Sequence, residues 1–136
     1  MSKVRLGYFA DFKSNDTLLM EADTEGLQSL AALFRSLAVG TRDSLALHDL
    51  PLFEIHHGVQ LTAACGGHDR GTRRFGTANS FLWERTALGW EDVADKLDSQ
   101  VQAERACHHY LDAEKDEVVV QVSKGEYGDK WWLEHG

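Results

Sequence analysis

Apolar positions along this chain follow two rhythms. In residues 27–38, Leu27, Leu30, Leu33, Phe34, Leu37 and Ala38 recur at spacings of three and four. Trp90, Val93, Ala94, Leu97 and Val101 repeat that pattern in residues 90–101. Both stretches predict amphipathic helices, whose stripes need an apolar surface to cover; a sheet face supplies one. Asp23 or Thr24 before the first helix, and Thr86 before the second, carry oxygens that can cap free helical N–H groups. Gly40 suits the left-handed end of the first helix. Around the helices, short apolar and β-branched runs predict strands over 4–10, 17–23, 44–49, 58–66, 80–86, 107–112 and 117–124. Ala113-Glu-Lys-Asp is short and polar enough to join the last two as a hairpin. Trp131-Trp132-Leu133 adds a short strand or docks as a tail.

The pattern is written twice. Shifted by 63 positions, residues 18–49 fall on 81–112 without a gap. Identical pairs are Leu19/Leu82, Glu21/Glu84, Gly26/Gly89, Ala31/Ala94, Ser36/Ser99, Arg42/Arg105 and Asp49/Asp112. After a loop four residues shorter, residues 59–66 can be laid on 118–125. The expected fold is therefore α+β in one domain over 1–136. It has two βαββ units in tandem, at about 17–66 and 80–125, after an extra N-terminal strand. A largely antiparallel sheet carries both helices on one face, and a Gly/Arg-rich linker at 66–79 separates the units. The opposite sheet face must be solvated or covered by a partner, and a homodimer is one way to cover it.

Composition narrows the function. Fourteen Lys+Arg against 22 Asp+Glu give a net charge of -8. That balance argues against nucleic-acid binding, which needs basic residues to neutralise phosphates. The first residues lack the apolar centre of a signal peptide, and no apolar run approaches the length of a membrane span. Two cysteines without a short spacing, Cys65 and Cys107, fit reduced, strand-borne thiols. The sequence reads as cytoplasmic, with no membrane partner.

Candidate chemistry is sparse. Among the seven histidines, His108 and His109 are adjacent on a strand and point to opposite faces. Paired modules can host a metal where they meet, and His48, His108 and Glu84 are the residues to test for it. The loop over residues 66–77 concentrates glycines, at 66, 67, 71 and 76, with Arg70, Arg73 and Arg74, which suits phosphate. It lacks a Walker Gly-Lys-Ser/Thr ending and opens no obvious helix, so it reads as a connector. No cofactor is implied. No Gly-x-Ser-x-Gly elbow or activated cysteine is present, so no catalytic residue is assigned. Acidic residues crowd the second unit: Glu91, Asp92, Asp95 and Asp98 on its helix, then Asp112, Glu114, Asp116 and Glu117 around the hairpin. Of these, Glu91, Asp92, Asp95, Asp98, Asp112, Glu114 and Asp116 are the candidates to meet a protein partner with a basic surface.

A family resemblance points the same way. Met20-Glu-Ala-Asp-Thr-Glu-Gly-Leu-Gln-Ser-Leu-Ala-Ala-Leu, followed by Ala46-Leu-His-Asp, resembles predicted immunity proteins of bacterial polymorphic-toxin systems. The second half, with Trp90, His109-Tyr-Leu-Asp and Ser123-Lys-Gly-Glu-Tyr, is similar to uncharacterised small bacterial proteins. The resemblance implies a small α+β protein that neutralises a cognate toxin by binding it, and it implies no catalytic residue. The expectation is a non-enzymatic binding module. The alternative is a small-ligand or metal-binding enzyme with its site between the two units.

Overall fold

The computed structural model describes residues 3–12, 15–76, 79–112 and 118–135, and over these the chain is an α+β protein. Strands β1 (Val4–Phe12) and β2 (Asn15–Glu21) lead into helix α1 (Thr24–Ala38). Then come β3 (Ser44–Ala46), a 3₁₀ turn (Leu47–Asp49), β4 (Phe53–Ile55) and β5 (Gln60–Cys65). The second half runs β6 (Gly71–Arg74), β7 (Ser80–Arg85), α2 (Ala87–Val101), β8 (Cys107–Asp112), β9 (Val119–Lys124) and α3 (Asp129–His135). No helix among the described residues is long and apolar enough to cross a membrane.

The strands form two mixed sheets rather than one largely antiparallel one. The first has the order β4-β1-β2-β9-β8 and the second β3-β5-β7-β6. Hairpin neighbours pair antiparallel, but β2 lies parallel to β9 and β5 parallel to β7. The helices explain this. Each carries the chain from one sheet to the other, so the hairpin after α1 lands beside β7 and the hairpin after α2 lands beside β2. Each of these two parallel pairs thus joins a strand of one half to a strand of the other.

The registers in the two halves match. Thr17 faces Val119 through to Glu21 facing Ser123, and Ser80 faces Gln60 through to Glu84 facing Ala64. Both sets obey the same shifts of 63 for β2 onto β7 and 59 for β5 onto β9. The predicted linker holds β6, which pairs with β7 as β1 pairs with β2: Leu6 faces Met20, and Thr72 faces Trp83. Each half is thus hairpin–helix–hairpin, with β4 and α3 as unmatched additions.

Local chemistry fixes the helix starts. Asp23 Oδ1 accepts from Gly26 N at 2.8 Å, and Thr86 Oγ1 accepts from Gly89 N at 3.1 Å, so each helix is capped at its third residue. The two glycines are needed for close approach. A Cβ on Gly26 would meet the Ala22 Cβ at 3.0 Å, and one on Gly89 would meet Arg85 Nε at 2.8 Å. Val39 caps α1, and Gly40 follows with φ +81°, the left-handed stop expected from sequence.

One hydrophobic interior joins both sheets and both long helices. Leu27, Leu30, Phe34 and Leu37 of α1 meet Trp90, Val93, Ala94 and Leu97 of α2, all buried, over Leu18, Met20, Leu61, Ala63, Val120 and Val122. At its centre the Phe34 ring stacks on Trp90 at 5.1 Å, and Trp83 closes the trio edge-on, 4.8 Å from Trp90. The Trp90 indole N–H donates to Ala64 O at 3.0 Å, which satisfies its polar atom inside the core. Burying such rings stabilises the fold by about 1.5–3 kcal/mol each. The outer face of the first sheet holds a separate aromatic cluster. Residues 131–133, expected as a strand or tail, lie in α3, whose Trp132 packs over Gly7 while Trp131 meets Phe9, Phe12 and Tyr127. The other two tryptophans fill the interior. The outer face of the second sheet stays half exposed along Thr62, Ala64, Leu82 and Glu84.

Candidate functional site

The acidic residues of α2 occupy one stripe, because steps of three and four return to the same side of a helix. Arg35 reaches across from α1 to three of them. Its Nε stands 3.6 Å from Glu91, its Nη2 donates to Asp95 at 2.8 Å, and its Nη1 lies 2.7 Å from Asp98. These carboxylates, with the Asp98 hydrogen bond foremost, raise the Arg35 pKa and keep it charged. Lys96 sits 3.3 Å from Asp92 one turn away. Four carboxylates against two cations leave the stripe negative. At its head stands Leu88, 84% exposed, an apolar side chain left in water. Asp112 ends β8, while Glu114 and Asp116 lie outside the described residues.

The three metal candidates are placed apart. His48, on the 3₁₀ turn, accepts from Leu61 N through Nδ1 at 3.0 Å and so ties that turn to β5. On β8, in the other sheet, His108 turns Nδ1 to Glu126 at 2.9 Å. Glu84, on β7, meets Arg70 at 3.7 Å and Arg73 at 3.5 Å. Among the described residues no group of three or more His, Cys, Asp and Glu could hold a metal ion. The arginines of the Gly-rich segment are likewise turned on their own chain. Arg74 lies over the Tyr8 and Phe81 rings and bonds the Tyr8 hydroxyl.

Ser123, Glu126 and His108 form a polar chain beside α3. Ser123 Oγ donates to Glu126 Oε1 at 3.1 Å, and Gln121 Nε2 donates to Ser123 Oγ at 3.2 Å. The carboxylate sits between hydroxyl and imidazole. Nucleophilic catalysis needs the imidazole beside the hydroxyl, so this order fixes the turn after β9 rather than activating Ser123.

Sequence reasoning passed over an open cleft of about 890 Å³ where β2 of the first half meets β9 of the second. The carboxyl ends of those parallel strands, the start of α1 and the turn into α3 line it, among them Glu21, Arg5, Glu25, Lys124, Tyr127 and Asp129. Glu21 is only 8% exposed. Its Oε1 accepts from Tyr127 N at 2.6 Å, while Oε2 is buried without a hydrogen bond. Burial raises its pKa, against the pull of the Tyr127, Ala22 and Gly125 amides. Arg5 is its direct cross-strand partner, yet the guanidinium turns away, bonding Glu54 at 3.0 Å and Asp129 at 2.5 Å. Glu54, held also by His56 at 2.8 Å, has its pKa lowered, first by that bond. Lys124 spends its ammonium on the carbonyls of Ala103 and Val101, at 2.6 and 3.2 Å. The cleft therefore holds a buried carboxylate, with Arg5 and Lys124 engaged elsewhere and Lys3 also in its lining. One signal of it was present in sequence: Glu21 ends an otherwise apolar run and recurs as Glu84.

Comparison with family models, with curated proteins and with solved structures finds no match to this chain.

Proposed function

We propose that this chain is a non-enzymatic protein-binding module of the immunity type, which meets a basic partner through the exposed side of α2. The observation that carries the reading is the stripe itself, with Glu91, Asp95 and Asp98 gathered by Arg35, Asp92 paired to Lys96, and exposed Leu88 at its head. A rigid row of carboxylates steers a cationic surface toward itself, and an apolar side chain at its end gives the docked partner something to bury. The thin resemblance of the first unit to immunity proteins supports the same reading.

Titration of the purified protein against a toxin domain encoded beside it, followed by calorimetry, tests the proposal. A one-to-one complex at micromolar affinity or better is expected, and no heat at micromolar concentrations overturns it. In that complex, Asp92→Lys combined with Asp95→Lys slows association by about 10-fold at low salt, and the difference shrinks as salt screens it.

A further inference from the structure

We infer that the cleft over Glu21 is a binding site for a guanidinium group supplied from outside the chain. The molecule contains its own precedent. Glu84 stands at the position equivalent to Glu21, at the carboxyl end of the equivalent strand beside an equivalent parallel neighbour. There, two guanidinium groups, Arg70 at 3.7 Å and Arg73 at 3.5 Å, approach Glu84 Oε1 from the preceding loop and β6. In the first half, the position matching Arg73 on the neighbouring strand is Gly7, and Arg5 bonds Glu54 and Asp129 instead. The same carboxylate in the same setting thus faces an open cleft rather than arginines.

Several features select the ligand. Glu21 offers one buried oxygen without a hydrogen bond, and no set of three or more ligating side chains surrounds it among the described residues, so a metal ion is poorly served. A planar guanidinium carries several donors, and the same cleft is lined by further carboxylates, Glu25 and the Arg5-bonded Asp129. Glu21 lines the cleft beside the turn over residues 125–128, whose Tyr127 amide bonds its other oxygen and which has glycine at both ends. The inference does not depend on the α2 stripe, which lies elsewhere on the chain.

The test is a titration with N-acetyl-arginine amide, read from the side-chain carboxyl 13C resonance of Glu21. A saturable shift is expected in the wild type and in Glu91→Gln. In Glu21→Gln, whose folding is checked by its thermal melt, affinity read from backbone amides at the cleft falls by about 10-fold or more, as loss of a charge-assisted bond requires. Two further arms identify the source. An arginine within a Gly-Gly-Arg-Gly-Gly peptide that binds more tightly than the free amide assigns the site to a partner's side chain, and equal binding assigns it to a small guanidino compound. Absence of a saturable shift up to the order of 50 mM, a limit set by single-group affinities, overturns the inference. So does binding that Glu21→Gln leaves unchanged. Loss of binding to a toxin partner through the α2 substitutions alone bears on the other proposal and leaves this one standing.

Discussion

Glu21 and Glu84 occupy equivalent places and live differently. Glu84 remains 22% exposed by side chain, meets two arginines, and has its strand end closed by the loop that carries Asp69. Glu21 is buried, bonded on one oxygen by a backbone amide, and opens on a cleft. The difference comes from what each half adds to the shared hairpin–helix–hairpin plan. The second half puts arginines before its strand, whereas the first ends under the turn into α3. Equal backbone pairing can therefore carry opposite electrostatics, because register fixes where a side chain starts but not which neighbours it finds.

The largest way to break the comparison lies in the core. Met20 and Trp83 are equivalent by register, yet only Trp83 belongs to the aromatic trio with Phe34 and Trp90. Trp83→Ala should cost about 3–5 kcal/mol and Met20→Ala about 2–3, measured by urea unfolding. Equal losses would mean that the trio adds nothing beyond its buried area.

Next come the caps. Asp23→Ala and Thr86→Ala each remove the side-chain acceptor for the third helical amide. Thr86 is also bonded by Asp69, which accepts from its amide at 2.9 Å and its hydroxyl at 3.1 Å. Asp23→Ala should cost about 1 kcal/mol and Thr86→Ala nearer about 2, since the second change also loosens the loop. A thermal-melt series that reverses this order would show that Asp69 does not brace α2.

How much of this was legible follows from locality. Helix stripes, caps and the 63-residue shift are short-range patterns, and the α+β class, both long helices and the main strands could be read from them. The division into two sheets could not, because which strand accepts the hairpin after a crossover helix is decided by packing across the core. Strand β6 went unseen since Thr72 is its only inward side chain among Gly71, Arg73 and Arg74, and β4 has only Phe53 to mark it. Two adjacent tryptophans left a short strand and a docked tail both open; a seven-residue helix lets Trp132 seal Gly7 while Trp131 turns to Phe12 and Tyr127. The row of acids on α2 was visible, but Arg35 as its clamp was not, for it lies 60 residues from Asp95. The environment of Glu21 was beyond sequence reach for the same reason: its amide donor, Tyr127, is 106 residues away.

The smallest expected effects sharpen the comparison most, because they differ in sign. Burial raises the Glu21 pKa in the folded state, so the unfolded chain gives up this proton first as pH rises. Below the ordinary glutamate range both states are protonated and the group contributes nothing to the balance. As pH climbs from there to the raised folded value, stability is lost, and above that value the ionised carboxylate is a net cost. Asp69 behaves oppositely. The Thr86 amide, above all, lowers its pKa, so its contribution is present above the ordinary aspartate range and is lost as pH falls through the folded value. Glu21→Gln should therefore raise stability at pH 7, on the order of 1 kcal/mol, with the gain vanishing in acid. Asp69→Asn should lower it at pH 7 with the loss vanishing in acid, and Glu84→Gln should change it by less than about 1 kcal/mol, as for other partly exposed ion pairs. Melts of the three variants between acid and neutral pH decide the matter. A Glu21→Gln variant less stable than wild type at pH 7 would mean that the carboxylate is already matched in the free protein. The two strand ends would then differ in shape alone.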